Sequence, residues 1–314
     1  MKRIFAFLLC AAALVLFAAC GAEESAPTET AAPATTAATT AATDTVPPAQ
    51  APTETLPEPT GGSALLKDAL LFDSDAASFI ITEVEESDHL GMQLHVQCIN
   101  KSGRTLMFSW DMVSVCGYMY DPFWALEVAA GKTANATVDL DTYALEKMGI
   151  ASVDEITFTL RISDSENWME APVAEEVCTI YPTGLTADTF VLPRHPDAAE
   201  QVVICDDAHI RFVIEQLSQD DTSVRLQVYV ENKTDRNLMY AWDLVSVNGM
   251  MIDPLWAASV TAGKRACPEI TFFRSELEAN GITDISTIEF KLTVSDYDDW
   301  EAPNLLEQVY TYYP

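Results

Sequence analysis

The sequence contains few cysteines and histidines, the residue types that most often act as nucleophiles, bases or metal ligands. The 314 residues include seven Cys and four His, and no His lies beside a Ser or Cys in a recognisable nucleophile motif. The sequence also lacks CxxC pairs, the HExxH zinc motif, a phosphate-binding P-loop and a GxGxxG turn. We therefore predict no catalytic residue, no cofactor and no metal ligand, and we expect the protein not to be an enzyme.

Cys20 is the residue whose surroundings indicate chemistry most clearly. It ends a leader in which Lys2 and Arg3 precede an uncharged apolar stretch, the layout of a secretory signal. The order Phe17-Ala18-Ala19-Cys20-Gly21 resembles the lipobox of bacterial lipoproteins, a family that prefers Leu where this chain has Phe17. The resemblance implies that the Cys20 thiol is acylated and that cleavage makes Cys20 the new N-terminus, so that residues 1–20 are the signal peptide.

Anchoring through Cys20 would place the protein on the outer face of the cytoplasmic membrane. The membrane would then be its first binding partner, through the lipid on Cys20. Two acyl chains give stable anchoring, whereas one chain alone is marginal. Two alternatives stay open: ordinary signal cleavage near 18–22, where small residues abound, and an uncleaved anchor helix.

Residues 21–62 consist mainly of Ala, Thr, Pro and Glu and contain no aromatic residue, Lys or Arg. Such a segment cannot bury enough apolar surface to offset the entropy of ordering it. Its prolines favour extended conformations, so we predict a disordered, semi-stiff linker between the anchor and a folded part.

The charge of the chain limits its partners. Seventeen basic residues face 48 acidic ones, for a formal net charge of −31 at pH 7. Nucleic-acid binding needs clustered Lys and Arg to neutralise phosphates, so we predict no nucleic-acid partner. A strongly acidic chain is soluble and attracts cationic partners.

An internal repeat determines the organisation of the remaining chain. Segment 100–125 returns 132 residues later as 232–257, with sixteen of 26 aligned positions identical. The same offset matches Gly131-Lys132 with Gly263-Lys264, Trp168 with Trp300, and Tyr181-Pro182 with Tyr313-Pro314. A constant offset indicates duplication of one unit. We predict a first repeat at 63–182, a connector at 183–199 with few apolar residues to dock it, and a second repeat at 200–314, each repeat folding independently.

The apolar pattern within each repeat has a period of two. Alternating segments include 94–99 and 156–162 in the first repeat and 224–230 and 288–294 in the second. Val-Cys116-Gly117 and Val-Asn248-Gly249 predict hairpin turns, and 141–149 and 275–281 predict one short helix per repeat, each begun by a capping residue. Six to eight short strands per repeat indicate an all-β fold of two tandem antiparallel β-sandwiches of immunoglobulin-like type.

Three short segments recur in both repeats: an Asn-Lys turn (100–102 and 232–234), Val-[Asn/Cys]-Gly (115–117 and 247–249) and Ala-Gly-Lys (130–132 and 262–264). They make the chain similar to Ig-like repeats in lipoproteins of Gram-positive anaerobes. That resemblance covers nearly all of both repeats and implies the fold and a Gram-positive cell envelope. It carries no established activity.

Five cysteines remain beyond the leader and the anchor, namely Cys98, Cys116, Cys178, Cys205 and Cys267. None has a Cys counterpart at the 132-residue offset, so no disulfide belongs to the repeated fold. An odd number also leaves at least one free thiol within a single chain. Buried, unpaired thiols are the favoured interpretation, and a local bridge within the first repeat is the alternative.

Three features are candidate binding sites. The acidic loops 164–168 and 296–300 could bind Ca²⁺ or be solvated turns. The aromatic residues Tyr118, Tyr120, Phe123, Trp124 and Trp256 could stack on sugar rings, although we expect Trp110, Trp124, Trp168 and their repeats to fill the cores. Gly131-Lys132 and Gly263-Lys264 could form sites, although a turn glycine with positive φ followed by an exposed Lys is the simpler interpretation.

These observations favour a non-enzymatic binding or structural module of the cell envelope, whose glycan or protein partner the sequence does not identify. A carbohydrate- or Ca²⁺-binding envelope protein is the alternative, followed by an enzyme with a dispersed site. Agreement between the repeats at a concave polar surface would favour a site, whereas agreement confined to cores and turns would favour a scaffold.

Overall fold

The computed structural model describes residues 65–87, 91–167 and 169–314. The predicted signal peptide 1–20, with the anchor Cys20, and the linker 21–62 lie outside the described residues, as do His89 and Trp168. All the described residues belong to one compact unit, Thr60–Pro314. Within them, no helix has the length and apolar character needed to span a membrane.

The first repeat forms two sheets that face each other across one core. Its elements are β1 (Lys67–Asp73), β2 (Ala77–Ser87), β3 (Gly91–Asn100), β4 (Leu106–Val115), β5 (Tyr118–Met119), β6 (Ala125–Val128), β7 (Thr133–Leu140), α1 (Thr142–Lys147), β8 (Ile156–Asp164) and β9 (Ala174–Ile180). One sheet has the order β1-β2-β3-β7, and the other has the order β5-β4-β8-β9 with β6 also paired to β4. Strand pairing within this repeat is antiparallel.

The second repeat has the same plan. Its elements are β10 (Val202–Asp206), β11 (Ile210–Gln219), β12 (Ser223–Asn232), β13 (Leu238–Val247), β14 (Met250–Met251), β15 (Ala257–Val260), β16 (Arg265–Ala266), β17 (Glu269–Phe273), α2 (Arg274–Ala279), β18 (Ile288–Asp296) and β19 (Leu306–Tyr312). Strands β16 and β17 together replace β7 of the first repeat, and both pair with β12. Pro268 lies between them and lacks the N–H that a continuous ladder needs.

The prediction of an all-β sandwich fold with one short helix per repeat is confirmed. The repeats contain more strands than the six to eight expected, because two-residue pieces such as β5 and β14 form separate strands. Asp141 caps α1 by accepting a hydrogen bond from the Tyr143 N–H. The prediction of a capping residue for the second helix is wrong, because α2 begins at Arg274 and its N-cap, Phe273, makes no side-chain capping bond.

Equivalent tryptophans fill equivalent cores. Trp110 and Trp242 are each 3% exposed, and their rings stack on Phe158 and Phe290 at centroid distances of 3.8 and 3.7 Å. The prediction that both tryptophans are core residues is therefore confirmed. The same prediction is wrong for Trp300, which is 75% exposed, because it follows the end of β18 in a turn where strand alternation no longer applies.

The polar residues that the repeats share hold turns. The buried Asn100 side chain donates from Nδ2 to the Arg104 and Val128 carbonyls at 2.7 and 2.8 Å. Asn232 does the same to the Arg236 and Val260 carbonyls at 2.7 and 2.9 Å. These two shared asparagines therefore stabilise equivalent turns in the two repeats.

The predicted hairpin turns have the backbone that their sequences require. Cys116 and Gly117 have φ of 48° and 80°, and Asn248 and Gly249 have φ of 51° and 82°. Two successive left-handed residues define a type I′ turn, which matches the twist of the strands that it joins. Position 117 needs glycine for a second reason as well, because a Cβ atom there would overlap the Leu192 side chain of the connector.

All five described cysteines are free thiols. Cys98, Cys116 and Cys178 are buried, and Cys205 and Cys267 are partly exposed. The favoured interpretation of unpaired thiols thus agrees with the structure, and the local bridge considered for the first repeat is not formed.

Candidate functional site at the junction of the repeats

The two repeats are joined by a strand pair. Strand β16 lies parallel to β5, with Arg265 opposite Tyr118, and the Arg265 N–H donates to the Gly117 carbonyl at 3.0 Å. This bridge continues one sheet of the first repeat into one sheet of the second, which gives a ten-stranded sheet. We call the surface buried by this contact the junction.

Apolar side chains cross the junction in both directions. Val213 and Tyr229 of the second repeat are buried with the core of the first repeat. Met119 of the first repeat packs against the core of the second, and the Thr261 hydroxyl donates to its sulfur at 3.4 Å. The cores are therefore in contact through named side chains.

The connector takes part in the junction. Phe190 packs against the first core, and the Pro193 carbonyl accepts a hydrogen bond from Arg265 Nη2 at 2.5 Å. The expectation that this segment has too few apolar residues to dock is wrong, because glycine at position 117 leaves space for Leu192.

An ion pair also spans the junction. Lys264 Nζ lies 2.9 Å from Glu155 Oε1, and the Glu155 side chain is only 4% exposed. Gly131 and Gly263 have the predicted positive φ of 65° and 67°. The accompanying prediction of an exposed Lys holds for Lys132 but is wrong for Lys264, since the first repeat covers it.

A cleft of 870 Å³ opens beside the junction, between the two repeats. Its volume lies within the range of small-molecule and cofactor sites. The first repeat contributes Trp110, Asp111, Met112, Val113, Met119, Tyr120, Asp121, Met148, Thr159, Arg161 and Glu175, and the second contributes Asn237, Ala257, Ala258, Ser259, Ala266, Cys267, Pro268, Tyr297 and Asp298.

The walls of the cleft carry carboxylates, amide and hydroxyl groups, and aromatic rings. Arg161 donates to Glu175 at 3.2 Å, and Asn237 donates to Asp298 at 2.9 Å. Burial raises the pKa of Asp111. Burial, followed by the negative charge of Asp111, raises the pKa of Tyr297. Asp111 and Tyr297 come from different repeats, so the two walls influence each other electrostatically.

A cluster of polar and aromatic side chains borders the cleft. We call it the junction cluster, and it consists of Tyr118, His195, Glu215, Tyr229 and Cys267. His195 Nε2 lies 2.6 Å from Glu215 Oε1, and its Nδ1 lies 2.9 Å from the Tyr118 hydroxyl. The imidazole also stacks on the Tyr229 ring at 3.9 Å. The His195 and Glu215 side chains are 13% and 11% exposed, and burial raises the pKa of the Cys267 thiol to about 12.

The acidic loops are held by their own hydrogen bonds. Asp164 accepts from the Glu166 N–H and from Arg104, and Asp296 accepts from the Asp298 N–H and from Arg236. Backbone hydrogen bonds, from the Glu166 N–H to Asp164 and from the Asp299 N–H to Asp296, are the largest cause of the lowered pKa of the two aspartates. Among the described residues, the carboxylates of these loops do not converge on a common point, so the turn interpretation accounts for them.

The predicted aromatic set does not form one surface. Tyr118 is buried in the junction, Trp256 is buried in the second core, and Trp124 packs against the first core. Phe123 is 89% exposed, and only Tyr120 lines the cleft.

The sequence did not single out His195, Glu215 or Cys267 as site residues, whereas Tyr297 and Asp298 of the candidate loop 296–300 do line the cleft. Three of the residues at or beside the junction are distinguished by their counterparts, because Tyr229, Arg265 and Cys267 correspond to Gln97, Thr133 and Asn135. At each of these positions the second repeat has a larger, charged or more apolar residue than the first. Such differences between equivalent positions are the signal that could have located the junction.

No family model matches the chain, and no curated protein matches it. Among solved structures, the chain is similar to the β-D-mannosidase from Dictyoglomus thermophilum, at 10% sequence identity and a TM-score of 0.20. The match covers 68% of this chain and 21% of the enzyme. A similarity this weak supports no conclusion about fold or activity.

Proposed function

We propose that this chain is a lipid-anchored, extracytoplasmic binding protein without catalytic activity, and that the cleft between its repeats is the binding site. The observation that carries the proposal is the 870 Å³ cleft lined from both repeats. The volume of the cleft lies within the range of ligand sites, and its walls offer both aromatic rings and hydrogen-bonding groups to a ligand.

The anchor is proposed from the lipobox-like segment that ends at Cys20. A lipid on Cys20 would tether the folded repeats to the outer face of the cytoplasmic membrane through residues 21–62. Replacing Cys20 tests this part: Cys20→Ser should leave an uncleaved precursor, and wild-type protein should partition into detergent. Normal processing and release of the Cys20→Ser protein would refute the lipid anchor.

The chemistry of the junction cluster supports a non-enzymatic role. Cys267 and His195 resemble a nucleophile and base by residue type, but burial raises the pKa of the Cys267 thiol to about 12. A thiol that stays protonated is a poor nucleophile. Both imidazole nitrogens of His195 are engaged, by Tyr118 and Glu215.

A carbohydrate ligand is the second candidate, and the two tyrosines of the cleft favour it. Tyr120 and Tyr297 offer rings for stacking, and Asp111, Asp298 and Asn237 offer hydrogen-bonding groups. The acidic loops offer no comparable support for Ca²⁺ binding, since their aspartates hold the turns in which they lie.

A binding screen tests the cleft. Residues 63–314 are screened against envelope glycans, peptidoglycan fragments and cationic peptides, with and without Ca²⁺. Tyr297→Ala should weaken binding at least about tenfold, equivalent to about 1.4 kcal/mol. Trp300→Ala is the matched control, because it removes an exposed aromatic residue a few positions along the same loop without lining the cleft. Equal loss in both variants, or binding unchanged by Tyr297→Ala, would refute the cleft as the site.

A further inference from the structure

Three side chains able to ligate a metal meet at the junction. His195 comes from the connector, Glu215 from β11, and Cys267 from the short link between β16 and β17. Their imidazole nitrogen, carboxylate oxygen and thiol sulfur all lie within 4.8 Å of one another, and in the described part of the chain no other such group occurs.

The donor atoms select the metal. A site that combines nitrogen, oxygen and sulfur is typical of Zn²⁺, whereas Ca²⁺ and Mg²⁺ take oxygen ligands. Ionised Glu215 and a Cys267 thiolate would bring two negative charges to a dication. Ligands of a tetrahedral Zn²⁺ are about 3.3–3.8 Å apart, as follows from metal–ligand distances of about 2.0–2.3 Å. The 2.6 Å contact between His195 and Glu215 must therefore widen by about 1 Å when an ion enters.

The imidazole is already oriented for ligation. Its Nε2 faces Glu215, while Nδ1 contacts the Tyr118 hydroxyl and the ring stacks on Tyr229. A ligating His normally uses its other nitrogen in a hydrogen bond that fixes the tautomer and the ring orientation. The Tyr118 hydroxyl can accept the Nδ1–H that ligation through Nε2 leaves in place.

We propose that His195, Glu215 and Cys267 bind one Zn²⁺ at the junction, where the ion strengthens docking of the two repeats. Tyr118, which belongs to the first repeat, contacts a ligand supplied by the connector, so metal binding and docking are linked. Cys267 also lines the cleft, which gives the ion a route of entry. This proposal is independent of what the cleft binds.

Arg265 sets the expected strength of the site. Its buried guanidinium lies 4.5 Å from the Tyr118 ring centre, and no acidic partner forms an ion pair with it in the described residues. Burial and the negative charge of Glu215 raise the pKa of the Cys267 thiol, and the guanidinium opposes that shift only in part. Its positive charge also repels a dication. We therefore expect Zn²⁺ that a chelator can remove.

The chain contains its own control. Cys205, Asp207 and His209 present the same types of donor on and beside β10, where His209 Nδ1 lies 3.8 Å from Asp207 Oδ1 and Cys205 Sγ lies 4.0 Å from Asp207 Oδ2. These three do not converge as the junction residues do.

The test uses full-length protein purified in detergent, stripped with a chelator and titrated with Zn²⁺ and with Co²⁺. We expect one Zn²⁺ per chain and a thiolate-to-cobalt absorption band. Cys267→Ser and His195→Gln should each weaken Zn²⁺ binding at least about 100-fold, and Tyr118→Phe about tenfold. Cys205→Ser and His209→Gln should change it less than about twofold.

Folding is checked by thermal melting of every variant in the chelator, and Glu215→Gln is a further ligand variant that keeps the side-chain shape. Absence of stoichiometric Zn²⁺ binding to the wild type overturns the proposal. Equal losses in Cys267→Ser and Cys205→Ser, or a cobalt band that survives Cys267→Ser, overturn it as well.

Discussion

The hairpins β4–β5 and β13–β14 have the same backbone and opposite surroundings. Tyr118 of the first hairpin is 1% exposed beneath the second repeat, whereas its counterpart Met250 is 45% exposed. The difference lies in what covers them, because β5 pairs with β16 and no strand of the described chain pairs with the free side of β14. Two repeats with the same plan thus have different surfaces where they meet.

The receiving strands show the same contrast. Arg265 of β16 is buried beside Tyr118, and its counterpart Thr133 lies exposed on the edge strand β7. Most residues that the repeats share maintain the fold, whereas Tyr118, Tyr229, Arg265 and Cys267 differ from their counterparts and lie at the junction beside the shared Lys264. Comparing a substitution with its counterpart 132 residues away therefore separates these two roles.

Substitution of the core tryptophans should reduce stability more than any other change, and by the same amount in both repeats. Trp110→Ala and Trp242→Ala should each lower the free energy of unfolding by about 3–5 kcal/mol, because each removes a buried stacked ring and leaves a cavity. Urea denaturation, with peptide-resolved hydrogen exchange to assign the loss to a repeat, measures both. A loss below about 1 kcal/mol in one variant alone would mean that the cores are not equivalent.

The hairpin residues should give unequal effects. Tyr118→Ala should cost about 3 kcal/mol, because it removes a buried ring and the hydroxyl that contacts His195. Met250→Ala should change stability by less than about 0.5 kcal/mol, as at other exposed positions. Both are measured by the same denaturation. Matching values would show that Tyr118 is as solvent-accessible as Met250 and that the repeats are not docked.

The two shared lysines should also differ. Lys264→Ala leaves the buried Glu155 carboxylate without its cationic partner and should cost about 1–3 kcal/mol. Lys132→Ala removes an exposed side chain and should cost less than about 0.5 kcal/mol. Thermal melting of the two variants at equal ionic strength provides the comparison. A neutral Lys264→Ala would argue against the ion pair across the junction.

Substitutions of Asp111 and Asp243 should differ least in their effect on stability. Here the variant in the cleft should be stabilised, whereas the variants above are destabilised. Burial raises the pKa of Asp111, so its ionised form costs stability above that pKa and the cost disappears as the pH falls through it. Asp111→Asn should therefore raise the melting temperature at pH 7 by about 1–2 °C, and the gain should shrink on acidification. Asp243 is exposed and accepts a hydrogen bond from Thr293 at 2.8 Å, so Asp243→Asn should give no gain. A gain that grows at low pH would contradict this account.

Local pattern was sufficient to predict the interior of each repeat. Strand alternation places Trp110 on the same face as Leu106 and Phe108, and all three are buried. The 132-residue offset predicted equivalent elements, and α1 and α2 begin and end at equivalent positions. These features depend on neighbours in sequence or on repetition, which a single chain displays directly.

The site could not be predicted in the same way. His195, Glu215 and Cys267 are far apart in sequence and have no common motif. They meet because β12 pairs with β11 on one side and with β16 and β17 on the other, while His195 of the connector contacts Glu215. Trp300 shows the complementary failure, since a shared residue type at a matched position faces solvent once the strand has ended. Contacts between the repeats involve residues that differ, such as Tyr118 and Arg265, and the shared Lys264 meets Glu155 only where the repeats dock, so repetition alone does not reveal them.

Docking of the repeats is the central claim, and the exchange rate of one backbone amide tests it most directly. The Arg265 N–H donates to the Gly117 carbonyl. Thr133 occupies the same register in the first repeat, since it pairs with Ile99 as Arg265 pairs with Glu231, but it lies on a sheet edge with which no described strand pairs. Residue-resolved hydrogen exchange should find the Arg265 amide at least about 100-fold more protected than the Thr133 amide. Equal protection of the two amides would contradict the docked junction, and with it the cleft and the junction cluster.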